Sequence, residues 1–425
     1  MDRTLVPTEK FMWLWYQQHP ENVTFSVTIT GKLNVDRLKE ALAWLQQRHS
    51  RLRVKIVINA ENQPQFSEKD VPPIPLKVIE RQGEKNWCQE MVSELLIPLS
   101  WNQEPLMRVL LLISPDISNL LITFHHCIGD GISGTYLIRD ILQFIGEPDS
   151  QKEILPDLPP IDQLLPETAK KISLVDETSP ESIKYDSIFA THFRTKNKQP
   201  GCDDFKISLF NLTISVKHTN QLIARCREEK TTVHGALYAA FLLAIFAEIN
   251  ANEATIFRCH SPINIRKYLN IKIDENLGEY ITRPIIQHQV SKDTDFWDLA
   301  REVKHKLNQV ITEGKLFNDV FMVREIISND AQTNVNILNL LDNLVMDIAI
   351  TNLGILNIPQ QFGHLQIEEV YVMATAPKTL PLLIGVATIG GKMCLIGRYI
   401  ESIIPSENAQ NIKERFMQQL LTFID

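Results

Sequence analysis

The sequence predicts an α/β protein of two domains, and three observations lead to this expectation. The chain has 425 residues, which is more than one hydrophobic core usually organises. Residues 1–146 alternate strand-like and helix-like patterns, an order that places helices against a sheet. Within that half, the apolar run at residues 120–124 indicates a buried strand that leads into a glycine-containing turn and then a helix.

Apolar periodicity predicts the elements of the first half. Strands are expected where β-forming residues alternate, and helices where apolar residues recur every three or four positions. The predicted strands cover residues 23–30, 52–58 and 120–124. A short helix is predicted within residues 5–16, and further helices cover residues 36–49, 84–96 and 132–146. Thr8 is expected to cap the first helix, and Asn34 or Asp36 to cap the second.

A proline-rich stretch separates the two halves. Residues 147–180 carry six prolines and little periodicity, which predicts a linker or a surface crossover. We therefore expect an N-terminal domain at residues 1–180, with this linker at its end, and a C-terminal domain at residues 181–425. In the second half, strands are predicted at residues 205–216, 255–259 and 345–350, a hairpin turn at Gly390-Gly391, and helices at residues 219–227, 233–249, 294–312 and 406–424. Thr232 and Thr294 are the expected caps of two of these helices.

Composition argues against several classes of function. A formal charge of −8 gives no support for nucleic-acid binding, which needs a basic face. The six cysteines are scattered without a CxxC pair, a pattern typical of reduced thiols rather than of a disulfide framework or a zinc site. The N-terminus lacks the features of a secretory signal, and the apolar residues 233–249 predict a buried core helix rather than a transmembrane segment. We expect a soluble, cytoplasmic monomer.

The candidate reactive groups lie at the end of the strand at residues 120–124. His125 and His126 follow that strand, and Asp130 and Gly131 follow after three further residues, so the motif is HHxxxDG. Successive strand residues face opposite sides, so the two imidazoles should have different environments. The same geometry argues against Cys127 as a nucleophile beside His126. It also argues against metal binding by the two histidines and the aspartate, and no metal is expected.

The motif resembles the active-site motif of the condensation-domain and chloramphenicol acetyltransferase-like acyltransferase superfamily. The sequence is closest in style to its free-standing polyketide-associated (phthiocerol dimycocerosyl transferase-like) and alcohol acyltransferases. Four further stretches carry the resemblance: LVPTEKFMWL, VHGALYAAFLLAI, LGEYIT (similar to LGxFVNT) and TNLG (similar to SNLG). The stretch QFGHL departs from the DFGWG motif of the plant branch. The resemblance implies two chloramphenicol acetyltransferase-like α/β sandwich domains with mixed sheets and an active-site channel at their interface.

The resemblance also implies roles for the residues of the motif. His126, the second histidine, matches the general base, and His125 is expected to be a scaffold residue. Arg266 follows a Pro-x-Asn-x segment and matches the arginine that pairs with the aspartate of the motif, here Asp130. The alternative is that Asp130 orients His126 as the carboxylate of a triad. Gly131 is expected to allow a close turn, to leave room for a pantetheine arm, or both.

Thr351 and Asn352, in the TNLG stretch, have two possible roles. They are candidates for an oxyanion or channel site, because a hydroxyl or amide can donate a hydrogen bond to a developing oxyanion. The alternative is a turn that tightens the domain interface. Arg258, Lys267 and Lys392 are candidates for a local basic patch that binds the donor.

Together these observations predict an acyltransferase. It would move an acyl group from acyl-CoA or a phosphopantetheinyl carrier protein to a small-molecule alcohol or amine, with no permanently bound cofactor, in secondary metabolite or lipid synthesis. Ester formation is favoured, because no carrier or adenylation domain is fused to this sequence. The alternatives are a stand-alone, amide-forming condensation enzyme and a catalytically silent docking module, whose mark would be a broken motif.

Overall fold

Two six-stranded mixed sheets form the centre of this computed structural model, which describes residues 2–18, 20, 22–150, 153–169, 187–193, 206–328 and 344–424. In chain order the strands are β1 (Arg3–Thr4), β2 (Asn22–Thr30), β3 (Lys55–Ile58), β4 (Pro64–Ser67), β5 (Leu76–Glu80), β6 (Met107–Ile113), β7 (Ile117–His125), β8 (Ile207–Ile214), β9 (Thr255–His260), β10 (Ile263–Asn264), β11 (Ile281–Thr282), β12 (Ile285–Val290), β13 (Ile348–Ile355), β14 (Gln361–Phe362), β15 (Leu365–Ala374), β16 (Leu382–Ile389) and β17 (Lys392–Ile400). The helices are α1 (Pro7–Tyr16), α2 (Val35–Arg48), α3 (Asn86–Leu96), α4 (Gly131–Gly146), α5 (Ile188–Phe193), α6 (Val216–Glu228), α7 (Val233–Glu248), α8 (Phe296–Thr312), α9 (Asn318–Ser328) and α10 (Ser406–Ile424). The α/β class with mixed sheets is therefore confirmed.

The first sheet has the strand order β14-β15-β2-β7-β6-β5. Its central strands, β2 and β7, pair antiparallel from Asn22 opposite His125 to Thr30 opposite Ile117. Both strands are buried along almost their whole length, as expected for strands covered on both faces. β7 therefore ends at a fixed position in the sheet, and the two histidines follow at that position.

The second sheet has the order β12-β9-β13-β16-β17-β8. The hairpin of β16 and β17 turns at Gly390 and Gly391, whose φ angles are 54° and 80°. Positive φ at both central residues is the geometry of a type I′ turn, which explains the two glycines. Helix α7 is buried and packs against α8 and α10, in agreement with the prediction of a core helix.

Strands from the second half of the chain complete the first sheet. β15 pairs antiparallel with β2, and β14 pairs with β15 at the edge of the sheet. A hydrophobic cluster between the sheets includes Leu121 of β7, Tyr371 of β15 and Ile396 of β17. The halves are thus joined by a shared sheet and a shared core. The predicted boundary at residue 180 lies outside the described residues and stays a prediction.

The caps of three helices differ from the prediction or refine it. The helix cap assigned to Thr8 is wrong: Glu9 accepts from the backbone N–H of Val6 at 3.2 Å, and the Thr8 hydroxyl donates to Asp162 at 2.8 Å. For α2 the cap is Asn34, whose side chain accepts two backbone N–H groups. For α8 the cap is Asp295 and not Thr294. A cap oxygen is chosen by the path of the chain before the helix, which periodicity does not determine.

Within the described residues, no single helix has both the length and the apolar composition needed to cross a membrane. Helices α6 and α7 meet that test only as a pair, and the pair is bent by 101°.

Candidate active site

His125, which we expect to be a scaffold residue, is buried at the end of β7. Its side chain is inaccessible to solvent, and its ring stacks on Tyr16 with centroids 4.1 Å apart. Nδ1 accepts the backbone N–H of Cys127 at 3.0 Å, so the proton of the neutral ring is on Nε2. Burial lowers the pKa of His125 to about 3. The hydrogen bond across the turn explains how this residue shapes the chain that carries His126.

His126 begins a short 3-10 helix, His126–Ile128, and has a different environment. Its side chain is 13% exposed, while Nδ1 is buried without a hydrogen-bond partner in the described residues. Because Nδ1 is buried and Nε2 is hydrogen-bonded to no other side chain among the described residues, Nε2 is the ring nitrogen that solvent can reach. Burial and then the positive charge of Arg283 lower the pKa of His126 to about 4. At neutral pH the ring is therefore uncharged and able to accept a proton.

Asp130 joins the motif to the second half of the chain. It caps α4 by accepting from the backbone N–H of Ser133 at 2.9 Å, and Oδ2 accepts the backbone N–H of Tyr280 at 3.0 Å. Arg266 donates to Oδ2 at 2.7 Å and to Oδ1 at 2.9 Å, and the predicted contact is thus confirmed. Burial raises the pKa of Asp130, but Arg266 and the hydrogen bonds outweigh burial and hold this pKa below its usual value.

These contacts leave Asp130 little capacity to orient His126. Both carboxylate oxygens already accept from Arg266, and each accepts further hydrogen bonds from Ser133 or Tyr280. The Arg266 guanidinium also lies 4.7 Å above the Tyr280 ring and donates to the Ser133 hydroxyl at 3.2 Å. Asp130 and Arg266 thus form a buried ion pair that joins the two halves of the chain.

Gly131 lies against Leu353 of β13. A Cβ atom at residue 131 would lie 2.4 Å from Cδ2 of Leu353, so the close approach requires glycine or a shift of that side chain. Thr351 is on the same strand as Leu353 and is half-buried. Asn352 accepts the backbone N–H of Gly354 at 2.8 Å, which is the geometry of a turn. The oxyanion role of Thr351 and Asn352 stays a prediction.

The three candidates for a basic patch each have a local partner. Arg258 lies 3.9 Å from the Asp347 carboxylate, Lys267 lies 4.8 Å above the Tyr268 ring, and Lys392 lies 3.9 Å from a carboxylate oxygen of Glu369. Their role in donor binding stays a prediction.

Sequence reasoning missed Glu279 and Arg283, which lie next to His126. Oε1 of Glu279 is 3.8 Å from Nδ1 of His126, and Arg283 forms an ion pair with the same carboxylate. Both residues follow Gly278 in a segment without clear periodicity, and they also line a small pocket beside α1 and α9 that is open to solvent. The signals in the sequence were the pair of charges in the LGEYITR stretch and the resemblance of LGEYIT to the LGxFVNT segment.

Two family models match successive parts of this chain. The condensation domain model matches residues 10–159, which include the HHxxxDG motif. The model for the C-terminus of phthiocerol/phthiodiolone dimycocerosyl transferase matches residues 206–394, which include Arg266 and β13. The chain belongs to the condensation-domain acyltransferase superfamily. The resemblance on which the sequence analysis relied is confirmed.

Curated relatives from this superfamily are long synthetases. The chain is 26% identical over 314 residues to nonribosomal peptide synthetase kk1B of Curvularia clavata, and 24% identical over 289 residues to bacitracin synthase 3 of Bacillus licheniformis. These matches cover 68% and 67% of the chain. The chain spans only 2% and 4% of the length of those proteins.

Solved structures share the fold at full length. Polyketide synthase associated protein 5 from Mycobacterium tuberculosis has a TM-score of 0.65 at 14% identity, with coverage of 99% of this chain and 98% of the other. The trichothecene 15-O-acetyltransferase TRI3 from Fusarium sporotrichioides has a TM-score of 0.71 at 13% identity, with coverage of 99% and 95%. The first condensation domain of the CDA synthetase also has a TM-score of 0.71, at 14% identity, with coverage of 100% and 96%. The fold of the superfamily therefore extends over essentially the whole chain.

Proposed function

We propose that this protein transfers an acyl group from a pantetheine thioester to an alcohol or amine, with His126 as general base. The observation that carries this proposal is the state of His126. Its imidazole is neutral at physiological pH, it is fixed at the end of β7, and its Nε2 faces solvent while Nδ1 is buried. A base that removes a proton from an acceptor needs these three properties.

The reaction follows from that geometry. As the acceptor O–H or N–H attacks the thioester carbonyl, its proton passes to Nε2 of His126. The tetrahedral intermediate then breaks its C–S bond, and the departing thiolate takes the proton from the imidazolium. The acyl carbon thus exchanges a C–S bond for a C–O or C–N bond, and a free thiol is released. Thr351 and Asn352 are the proposed oxyanion donors.

The donor would be acyl-CoA or an acyl carrier protein, and the small-molecule acceptor would meet it over His126 in a channel between the halves of the chain. Ester formation is supported by the family model of the dimycocerosyl transferase and by the fold shared with an O-acetyltransferase. Amide formation is the second candidate, because the condensation domain model matches the half that contains His126 and a nonribosomal peptide synthetase is among the relatives of the chain. We favour the ester, and we propose secondary metabolite or lipid synthesis as the setting.

Product analysis tests the proposal. The protein is incubated with a panel of acyl-CoA and acyl carrier protein thioesters, each with an alcohol or an amine acceptor, and free thiol and acylated acceptor are measured by mass spectrometry. We expect an acylated acceptor and an equal amount of free thiol from at least one donor. Thiol release without acylated acceptor would indicate hydrolysis and would contradict the proposal. No turnover with any donor would favour a silent docking module.

A further inference from the structure

We propose that Glu279 is the positioning residue of the base His126, and that Arg283 holds Glu279 in place. This inference rests on the proposed function, because it gives the general base the partner that fixes its ring. Glu279 does not contact the reacting atoms. It acts through the imidazole, and its sequence position between β10 and β11 gave no indication of this role.

The geometry behind the proposal is a pair of buried atoms that face each other. Nδ1 of His126 is buried without a hydrogen-bond partner among the described residues, and it lies 3.8 Å from Oε1 of Glu279, a buried oxygen that also forms an ion pair with Arg283. The Glu279 side chain is 10% exposed. A buried polar atom without a partner costs about 1–3 kcal/mol, so a small movement that closes this contact is favourable. Catalytic hydrogen bonds are often long in the free enzyme and shorten in the substrate complex.

Among the side chains of the described part of the chain, none is better placed than Glu279 to orient His126; the backbone groups of His126 and Gly129 also act on its ring. Asp130 is the nearest alternative by sequence, but Arg266, Ser133 and Tyr280 already occupy its oxygens. Among the described ion pairs, the contact with Glu279 is the one in which His126 takes part. Of these two carboxylates, Glu279 is thus the one that is free of Arg266 and can take the orienting role that a triad gives to an aspartate.

Arg283 is the third residue of the arrangement. Its guanidinium pairs with Glu279, and its Nη1 lies 3.9 Å from Oδ2 of Asp319. Its backbone N–H also donates to Oδ2 of Asp319 at 3.1 Å, which fixes the residue to α9. Arg283 therefore restrains the carboxylate and balances its charge, so that His126 stays neutral until a substrate proton arrives.

The consequence for the reaction is a defined tautomer. A hydrogen bond from Nδ1–H of His126 to Glu279 leaves the lone pair on Nε2, the nitrogen that solvent reaches. When Nε2 takes the acceptor proton, the carboxylate stabilises the imidazolium. The proton then leaves from Nε2 to the thiolate, and Nδ1 keeps its proton throughout.

Opposite pH shifts test the proposal. The charged groups around His126 are Arg283, Asp130 (neutralised by Arg266), Glu279 and the neutral His125. Glu279→Gln removes the negative charge beside His126 and leaves Arg283 with Asp319 as its remaining described counter-charge, so the acidic limb of the kcat/KM profile should move to lower pH. Arg283→Gln leaves the carboxylate uncompensated and should move that limb to higher pH. A purely structural ion pair would lose stability in both variants without these opposite shifts.

Turnover gives a second measurement with a matched control. We expect Glu279→Gln to lower kcat about 10- to 100-fold with KM within about twofold, since it removes part of the ~10²–10⁴-fold effect of general base catalysis. Glu279→Asp should recover part of the rate. Asp274→Asn is the control, because Asp274 is an exposed carboxylate of the same segment that pairs with Lys272. An unchanged kcat in Glu279→Gln would overturn the proposal.

Nitrogen NMR of the histidine rings separates this inference from the proposed function. In the parent protein, labelled His126 should be the tautomer with its proton on Nδ1, and Glu279→Gln should shift this equilibrium toward the other tautomer. This measurement needs no substrate. If the parent has no acyltransferase activity but the tautomer responds, the proposed function fails and the positioning role stands. If the tautomer is the same in both proteins, the positioning role fails whatever the activity.

Discussion

Replacing Arg266 by Met should destabilise the protein strongly, because the change leaves a buried carboxylate without its counter-charge. Asp130 is fully buried, and the Arg266 side chain is 8% exposed. The variant loses two charge-assisted hydrogen bonds of 2.7 and 2.9 Å, while the donors from Ser133 and Tyr280 remain. Breaking such a pair from one side costs about 3–5 kcal/mol of unfolding free energy.

Urea unfolding followed by circular dichroism measures this loss at pH 7 and pH 5. In the parent, Arg266 keeps the pKa of Asp130 low, so the pair contributes stability above the unfolded pKa of ~3.9 and loses it as the pH falls. Without Arg266, burial raises the pKa of Asp130, and the deficit should be smaller at pH 5 than at pH 7. Arg225→Met, on the exposed face of α6, is the control. A loss of unfolding free energy below about 1 kcal/mol, or a loss that is equal at both pH values, would show that the Asp130–Arg266 ion pair does not join the halves of the chain as argued.

Three further predictions concern packing, pH and thiol chemistry. Gly385→Ala should lower the free energy of unfolding in urea by about 3 kcal/mol, because the new Cβ would lie 1.8 Å from the carbonyl oxygen of Val372, where the two sheets meet. A variant as stable as the parent would contradict this packing. The free energy of unfolding should fall between pH ~6.5 and pH ~4, by up to about 1.4 kcal/mol per pH unit for each histidine that has its pKa lowered by burial. A free energy of unfolding that does not change over this pH range would contradict the prediction. These histidines have pKa values of about 3 (His125 and His260) and about 4 (His126 and His234). Cys127→Ala should keep turnover within about threefold of the parent rate. Burial raises the pKa of this thiol well above neutrality, and only the thiolate form is a nucleophile. Loss of turnover in this variant would show that Cys127 takes part in the reaction.

The sign of the histidine effect follows from where the protons bind. Between pH ~6.5 and ~4 the unfolded chain binds protons at these histidines and the folded chain does not, so acid favours unfolding. Asp319 and Asp347 act in the opposite direction, because burial raises the pKa of both carboxyls in the fold. Replacing His234 by Asn should make the pH dependence shallower.

The elements that sequence reasoning predicted well are those that local pattern determines. The strand before His125 and the helix that ends at Gly146 were predicted because apolar periodicity and turn residues are local properties. The pairing of β15 with β2 was not predicted, because the neighbour of a strand in a sheet is a long-range choice. The same reason explains the cap assigned to Thr8, whose hydroxyl instead bonds Asp162, 154 positions away.

The same contrast between local and long-range features applies to the residues of the candidate site. The HHxxxDG motif is contiguous, so its histidines and Asp130 could be found in the sequence alone. Arg266 was found through a family resemblance and not through spacing, since 136 positions separate it from Asp130. Glu279 was missed because nothing in a loop sequence indicates that its carboxylate lies beside His126.

The central claim is that His126 is the general base, and the turnover number of His126→Ala tests it most directly. The variant is compared with the parent and with His305→Ala, which removes an exposed histidine of α8, using the donor and acceptor found in the thioester panel. We expect kcat of His126→Ala to fall about 10²- to 10⁴-fold, while its circular dichroism spectrum and the activity of His305→Ala match the parent. A His126→Ala variant that is folded and turns over at the parent rate would contradict the claim.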